Sequence, residues 1–431
     1  MASPYRVRIG RMGQECFDIA VVGAGPAGSV TAYAAAKRGF RVALIDRSSF
    51  PRDKTCGDGV GPAAVEVMRR LGLGEIFADD LPVENVTIFG PHEEPLRSAI
   101  SRSGGRAAYG HVIPRLDLDN RLVREALRAG AADFTGKRYR STNVGAHSRE
   151  VRLSGPGGCD QTINARLVVG ADGAHSQVRR DLPGTQAHQS EKHGFLAIRA
   201  YADSEDFRQG GEIGPRLLFK FDRNLLPNYA WVFPLENGKV NLGVGGPLAT
   251  MRNRGDDLKA LMMKFIDEMR ARGVDLGDIR EQRAHHIPHV GGLPKLAHPR
   301  AVLLGDAASM SNPVSGEGIA YAVSAAERLV NALPPNLGDE ATLEATLTGF
   351  ETDFRRIHRA HFASCLLALR TLRSQRWATA LLRAARRDRR MLGDGVELMF
   401  GFGRIRASTV LRILRSGWPS DPVRPAETNQ A

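Results

Sequence analysis

The sequence predicts an α/β fold: a discontinuous β-α-β domain, interrupted by a mainly antiparallel β-sheet and followed by a helical C-terminal region. Three observations predict it. A strand-helix-strand pattern occupies residues 17–46. Two more buried-strand runs, Ala165–Gly170 and Arg300–Gly305, arrive far downstream. Between those runs, from Phe195 to Gly246, the pattern changes to apolar/polar alternation with polar turns. Strands of one buried sheet on both sides of an alternating segment imply an insertion.

The elements follow in order. Phe17–Gly23 (FDIAVVG) reads as a buried strand, and Pro26–Arg38 as a helix of small residues ended by Gly39. Arg41–Asp46 (RVALID) is the second strand of that unit. Asp117–Ala129 is helical by period, and Ala165–Gly170 (ARLVVG) is a buried strand. Arg300–Gly305 (RAVLLG) is another, followed by a helix from about Gly318 to Leu333. After Leu343 the chain reads as helices to about Gly417, and the polar tail Pro419–Ala431 is expected to be disordered.

Composition bounds the class. A chain of 431 residues with 42% hydrophobic and 25% charged residues can bury a core without disulfides or metals. The four cysteines (Cys16, Cys56, Cys159, Cys365) are widely spaced, offering neither a zinc site nor a disulfide framework, so a reducing cytosol is expected. Arg6, Arg8 and Arg11 are not followed by an apolar stretch before Gly23, so no signal peptide is read. No run reaches the roughly 18 apolar residues of a membrane span. The net charge is +13, and Glu351–Trp418 alone carries 15 arginines against five acids, +10. That excess suits an anionic membrane surface or an acidic protein partner. With no nucleic-acid module and no basic–aromatic alternation, nucleic acid is not an expected partner. The expected location is cytoplasmic, with peripheral membrane contact through the C-terminal arginines.

Gly23-Ala24-Gly25-Pro26-Ala27-Gly28 is a GxGxxG between a strand and a helix. Gly23 permits the tight turn, Gly25 the close approach of a pyrophosphate, and Gly28 close packing of helix on strand. The helix start opening at Pro26 and Ala27 offers free N–H groups and a positive dipole end to phosphates. Asp46, 18 residues past Gly28, ends the second strand where an acid can accept hydrogen bonds from ribose hydroxyls; Arg47 follows it. The first domain is therefore of Rossmann type and binds a dinucleotide.

Two later motifs decide which one. Gly170-Ala171-Asp172-Gly173 closes a buried strand, and Gly305-Asp306-Ala307-Ala308 closes another, with Asn312-Pro313-Val314-Ser315-Gly316-Glu317-Gly318 beyond it. With the GxGxxG, this ordered set resembles the para-hydroxybenzoate-hydroxylase-like flavoprotein superfamily. The resemblance implies FAD, with Gly305 and Asp306 at the ribityl chain and Pro313 in the loop that follows. It places Asp172 near the FAD and a nicotinamide cofactor, and Arg115, in Pro114-Arg115-Leu116-Asp117, beside the FAD. The helix start at Gly316–Gly318 would point N–H groups at the flavin pyrimidine edge, favouring negative charge on reduced flavin.

A narrower resemblance follows. Pro51-Arg52-Asp53-Lys54-Thr55-Cys56-Gly57 is similar to the P-x-x-K-x-C-G signature of the geranylgeranyl reductase family. Tyr229-Ala230-Trp231-Val232-Phe233-Pro234, with Gly243-Val244-Gly245, is similar to that family's YxWxFP and GxG substrate-site pattern. The resemblance runs from about Phe17 to about Leu333 and puts the Cys56 turn beside the isoalloxazine ring. Tyr229, Trp231 and Phe233 share one face of a strand and could line an apolar tunnel. A two-residue turn at Asn237-Gly238 would set Phe233 opposite Leu242 and Trp231 opposite Val244, with Gly243 and Gly245 on the other face. Cys56, with Lys54 nearby, is expected to shape the flavin environment or deliver a proton, a cationic neighbour favouring thiolate. Histidines 285, 286 and 289 read as ordinary loop histidines, and no metal is expected.

The expected domains are FAD-binding (15–80, 106–183 and 284–340), substrate-binding β-sheet (81–105 and 184–283), C-terminal helices (341–418) and a tail (419–431). The expected function is reduction of a carbon–carbon double bond in an isoprenoid or similar apolar substrate. Cys56, Tyr229, Trp231 and Phe233 would form the catalytic chamber. Because one dinucleotide fold is visible, NAD(P)H would bind transiently, or an acidic electron donor such as a ferredoxin would dock on basic surface. The alternative on the same scaffold is an NAD(P)H-dependent monooxygenase or halogenase acting on an aromatic or polyketide substrate. In the halogenase motif, Tyr229 replaces a tryptophan and Phe233 an isoleucine. A third reading is a non-redox flavoprotein with FAD as scaffold.

Overall fold

A computed structural model of the chain describes residues 16–410 apart from 91–94, 101–107, 186–193, 222–224, 228, 402 and 407. The N-terminal arginines, the helical expectation for residues 411–417 and the tail lie outside the described residues.

The described residues begin with β1 (Cys16–Val22), α1 (Pro26–Lys37) and β2 (Val42–Asp46). Proline at the first helical position and alanine-rich turns let α1 sit close to the sheet, and Gly39, at φ +85°, turns the chain out of it. The short β3 (Gly59–Val60) and α2 (Pro62–Arg70) come next, before β4 (Asn85–Phe89) and β5 (Leu96–Ala99) cross to a second sheet. The chain returns through β6 (His111–Val112), paired with β3, and α3 (Arg115–Arg128). Then come β7 (Ala132–Thr135), β8 (Arg138–Val144), β9 (Arg149–Ser154), β10 (Asp160–Gly170) and α4 (Gln177–Asp181). The second sheet resumes with β11 (Gly194–Asp203), β12 (Arg216–Lys220), β13 (Tyr229–Pro234) and β14 (Lys239–Pro247). Helices α5 (Leu248–Arg254) and α6 (Leu258–Ala271) lead to its last strand, β15 (Arg280–Pro288). The first sheet is completed by β16 (Ala297–His298) and β17 (Ala301–Leu303). Helices α7 (Ile319–Ala332), α8 (Glu340–Leu372), α9 (Gln375–Arg387) and α10 (Arg389–Met399) follow.

The first sheet runs β16-β17-β10-β1-β2-β7, parallel from β17 to β7, with β8 and β9 extending from β10. Its strands read as unbroken apolar runs because helices bury both faces. The second runs β15-β11-β14-β13-β12-β4-β5; β4 is parallel to β12 and every other pairing is antiparallel. Strand alternation divides its two faces. Ala230, Val232, Leu242 and Val244 meet Met262, Phe265 and Ile266 of α6. Phe219, Tyr229, Trp231 and Phe233 occupy the opposite core, with Leu369, Leu372, Ala378, Leu392 and Val396 from α8, α9 and α10. Helix α8 joins the two halves: Leu343, Leu347 and Phe354 belong to the first core, and Cys365, Leu369 and Leu372 to the second.

The β13–β14 hairpin differs from the expected register by one residue. Leu235 N–H donates to the Lys239 carbonyl at 2.7 Å, so Glu236 joins Asn237 and Gly238 in a three-residue loop. Both Asn237 and Gly238 sit at positive φ, 58° and 67°. Phe233 therefore faces Asn241, Trp231 faces Gly243 and Tyr229 faces Gly245. A one-residue slip exchanges sheet faces, so the glycines lie on the aromatic face rather than the opposite one. A Cβ at Gly243 would stand 2.5 Å from the Trp231 ring, and one at Gly245 2.8 Å from Phe195. His285 and His286 are also not in a loop; they lie on β15.

Candidate functional site

A cleft of about 590 Å³ opens between the two sheets, and nearly every residue singled out from the sequence reaches it. Gly23, Gly25, Pro26, Ala27, Asp46, Arg47, Arg115, Asp172, Gly305, Asp306, Gly316 and Gly318 line it, as do Cys56, Tyr229, Trp231 and Phe233. Gly28 and Pro313 are not in its wall.

The three glycines of the first turn have different surroundings. A Cβ at Gly23 would lie 2.3 Å from the Ala171 carbonyl oxygen, and one at Gly28 1.7 Å from that of Gly23. Those two permit the backbone packing itself. A Cβ at Gly25 would meet only the guanidinium nitrogens of Arg115 and Arg52, at 3.6 and 3.9 Å. Gly25 is thus a bare hollow between two cations at the start of α1. Arg115 is held by both oxygens of buried Asp119 at 2.7 Å, and Arg52 meets the same carboxylate at 2.8 Å. Two guanidinium groups against one carboxylate leave positive charge facing the hollow, as a diphosphate requires. Asp46 accepts the Ala24 and Ser48 N–H groups, both at 2.8 Å, which fixes its carboxylate at the end of β2. On these grounds the cleft fits FAD.

Asp306 pairs with Lys54 at 2.9 Å. Burial opposes ionisation of Asp306, but Lys54 prevails and holds the carboxyl below its usual range. His285 borders the same corner; burial, reinforced by Lys54, lowers its pKa to about 4, so the ring is neutral. Asp172 turns its carboxylate onto the start of α4, accepting Ser176 Oγ–H and the N–H groups of Gln177 (2.6 Å) and Val178 (3.2 Å).

The loop from Asn312 to Gly318 is organised from outside. Asn312 Oδ1 accepts Val314 N–H at 2.8 Å, while its amide donates to the Leu398 carbonyl at 2.8 Å. Ser315 Oγ donates to the Met399 carbonyl at 2.7 Å. Tyr229 Oη donates to the Ser315 carbonyl. The end of α10 and the aromatic strand therefore both fix this loop.

The cysteine turn and aromatic wall form one hydrogen-bonded unit. Asn241 donates to the Cys56 carbonyl at 2.9 Å and to Asp58 Oδ2 at 2.8 Å, and accepts the Trp231 indole N–H at 2.9 Å. Tyr201 also donates to Asp58, at 2.6 Å. Burial raises the Asp58 pKa to about 6 despite these donors. Arg199, from β11, grips Asp53 of the same turn at 2.8 and 2.9 Å. A Cβ at Gly57 would stand 3.4 Å from Phe233 and 3.5 Å from Trp231, so the rings lie directly on the turn. Cys56 departs from the thiolate expectation: burial, only partly offset by Arg115, raises its pKa and keeps it a thiol. Lys54, the cation expected to act on it, is engaged with Asp306.

Asp58, Tyr201, Asn241, Arg199 and Asp53 were not predicted as site residues. Asp58 stands inside the cysteine motif, and Asn241 is the one polar residue in the run Val240–Gly246. Those were the available signals; Tyr201 and Arg199 left none.

The FAD binding domain family matches residues 16–360. The chain is 35% identical over 308 residues to the menaquinone reductase of Mycobacterium tuberculosis, covering 70% of this chain and 73% of that protein. It is 28% identical over 347 residues to the digeranylgeranylglycerophospholipid reductase of Methanosarcina acetivorans, covering 78% and 77%. Among solved structures it resembles a geranylgeranyl bacteriochlorophyll reductase-like protein from Thermoplasma acidophilum (TM-score 0.72, 19% identity, 95% and 98% covered). It also resembles a myxobacterial chondrochloren halogenase (TM-score 0.69, 22% identity, 93% and 97% covered). At these structural identities what is shared is the fold. The match over residues 16–360 and the similarity to the reductases agree: the chain belongs to the FAD binding domain family and is an FAD-dependent oxidoreductase similar to the menaquinone and digeranylgeranylglycerophospholipid reductases.

Proposed function

We propose that this protein uses FAD to reduce a carbon–carbon double bond in the isoprenoid chain of a lipid. The observation that carries the reading is the Cys56–Asn241–Trp231 unit, which holds a protonated thiol and an apolar aromatic wall together on one side of the cleft. Menaquinone and digeranylgeranyl lipids, named for the relatives' activities, both carry isoprenoid chains. That supports a flexible unsaturated substrate lying along Trp231, Phe233 and Tyr229.

In this reading Gly25, Arg52 and Arg115 receive the diphosphate, and Asp46 the adenosine ribose. Asp306 meets the ribityl chain, and the N–H groups at Gly316–Gly318 meet the ring. When bound, reduced flavin supplies the hydride. An isolated alkene accepts hydride poorly, so a proton must arrive at the other carbon in the same alignment. Cys56 holds that proton as a thiol. The charge of Arg115, which favours the anion at Cys56, would stabilise the thiolate left behind. The aromatic wall excludes water and fixes the chain. Tyr229, committed to Ser315, positions the loop and is not the acid.

We infer that NAD(P)H reduces the flavin transiently in the same cleft, with an acidic electron-transfer protein as the other donor to test. Among the described residues no helix is long and apolar enough to cross a membrane, so access to a lipid is proposed to be peripheral. The deciding experiment is anaerobic turnover with NADPH and a panel of prenylated lipids, read by mass spectrometry. A product heavier by two hydrogens is expected. Product requiring oxygen or halide would replace this reading with the monooxygenase or halogenase one. Flavin that NAD(P)H and reduced ferredoxin both fail to reduce would favour a scaffold role.

A further inference from the structure

Glu317 stands in the cleft wall between Gly316 and Gly318, where α7 begins. Its Oε1 accepts the Ala320 N–H at 2.7 Å. Its Oε2 is buried and has no hydrogen-bond partner among the described residues. An ionised carboxylate with a buried, unpaired oxygen is unfavourable, and the ordinary remedy is a proton. The groups that face Glu317 do not supply a counter-charge. Asp306, from the turn after β17, is an anion and raises the Glu317 pKa further; its own cation, Lys54, is turned toward Asp306. Tyr321, one turn along α7, bonds to Asn312 and to His361 of α8. After α10, a Cβ added at Gly401 would lie 3.8 Å from Oε2. Burial first, then Asp306, pushes the Glu317 pKa up to about 7, with the Ala320 and Ile319 N–H groups acting the other way.

We propose that Glu317 is the proton reservoir of the flavin site: it takes up one proton when the bound flavin is reduced and releases it when the flavin is reoxidised. The inference rests on the placement of the flavin ring at Gly316–Gly318. With a two-electron reductant, two electrons and one proton convert the oxidised ring to its anionic reduced form. That new charge lies in the cleft Glu317 borders, and like charges raise a carboxyl pKa. A second proton, drawn from solvent, then neutralises Glu317. The balance is two electrons and two protons in, one proton on the ring and one on the carboxylate, and the reverse on reoxidation. Hydride transfer to the substrate removes the ring's negative charge, and Glu317 then returns its proton to solvent. Glu317 thus acts through the flavin and is a positioning residue for charge, distinct from Cys56, which gives its proton to substrate.

The test is the midpoint potential of the bound flavin in the holoprotein, measured by mediated spectroelectrochemistry between pH 7.5 and 8.5. Each proton taken up with two electrons contributes about 30 mV per pH unit, so two protons give about 59 mV. The wild type is expected near the steeper slope, Glu317→Gln near the shallower one, and Glu317→Asp restored toward the steeper. Equal slopes in wild type and Glu317→Gln would overturn the inference. If the glutamine variant does not hold FAD, proton uptake on electrochemical reduction of the wild type at pH 8 decides instead. Two protons per flavin support the reservoir and one removes it. A wild type that binds no FAD would overturn the flavin placement, a separate failure recognised before any potential is measured.

Discussion

Asn241 Nδ2 lies 2.9 Å from the Cys56 carbonyl oxygen, across 185 residues of sequence, and this contact fastens the cysteine turn to the second sheet. The same amide nitrogen reaches Asp58, and Asn241 Oδ1 takes the Trp231 indole N–H. Replacing Asn241 by Ala would take the partner from one buried donor, the Trp231 indole N–H, and from two acceptors, the Cys56 carbonyl and Asp58. Each such group costs about 1–3 kcal/mol, so Asn241→Ala should lose about 3 kcal/mol or more of stability. Urea unfolding measures that loss. A variant as stable as the wild type would show that the three contacts carry no weight.

Cys56→Ser should retain FAD and its reduction by NAD(P)H, yet slow the transfer to alkene. A positioned acid contributes about 10²–10⁴-fold, and serine is a far weaker acid than a thiol. A fall of about 10²-fold in the oxidative half-reaction, with the reductive half-reaction unchanged, is expected in anaerobic stopped flow. Equal loss in both halves would make Cys56 a packing residue.

The parts of this site that sequence made legible are those fixed by local backbone geometry. Gly23, Gly25 and Gly28 form one turn, and each glycine answers a constraint within that turn or its neighbouring strand. The alternation of Tyr229, Trp231 and Phe233 likewise fixes their common face, because strand period is local. Contacts between distant segments were not legible. Lys54 meets Asp306 over 252 residues and Arg199 meets Asp53 over 146, and neither pairing follows from spacing. The hairpin register failed for a related reason. Asn237-Gly238 is the dipeptide of a two-residue turn, but Leu235 and Lys239 close the loop one residue earlier. The last strand of the second sheet was not legible either, since β15 carries His285 and His286, which read as loop residues.

Gly25 and Gly28 should behave differently when substituted. At Gly25 a side chain enters the cleft beside Arg115 and Arg52, so Gly25→Val should fold and bind FAD at least tenfold more weakly. At Gly28 a Cβ would overlap the Gly23 backbone, so Gly28→Val should fail to fold. Circular dichroism and flavin titration separate the two. Full FAD affinity in Gly25→Val would remove the diphosphate from this hollow.

Stability should depend on pH through Asp58. Its folded pKa of about 6 lies above the ordinary 3.8, because burial disfavours the anion. A raised carboxyl pKa means the folded state holds the proton more tightly than the unfolded chain. Its stabilising contribution is complete below about pH 3.8 and is lost as pH rises through about 6. Two pKa units correspond to about 3 kcal/mol. Asp58→Asn cannot titrate, so its stability relative to wild type should improve by about that amount between pH 4 and 7. Parallel pH profiles for the two proteins would show that folding does not shift the Asp58 pKa.

If the basic C-terminal helices carry the proposed lipid contact, that contact should be electrostatic rather than insertive. On α9 the apolar side is already used: Ala378 and Ala385 are buried in the second core, and Leu381 and Leu382 pack against it. Arg383, Arg386 and Arg387, with Arg389 and Arg390 at the start of α10, are exposed. Each basic residue close to an anionic bilayer contributes about 1 kcal/mol, and salt screens that attraction over about 10 Å at 0.1 M. Co-sedimentation with vesicles should therefore rise with the fraction of anionic lipid and fall steeply with added salt. Changing Arg386, Arg387, Arg389 and Arg390 together to glutamine should weaken it by about tenfold or more while FAD stays bound. Because no apolar side chain of α9 has to leave the core, binding should not alter the circular dichroism or the flavin spectrum. Equal partitioning to neutral and anionic vesicles would point to insertion of other, apolar surface. Absence of binding to both would leave these arginines as a solvated cover over the second sheet.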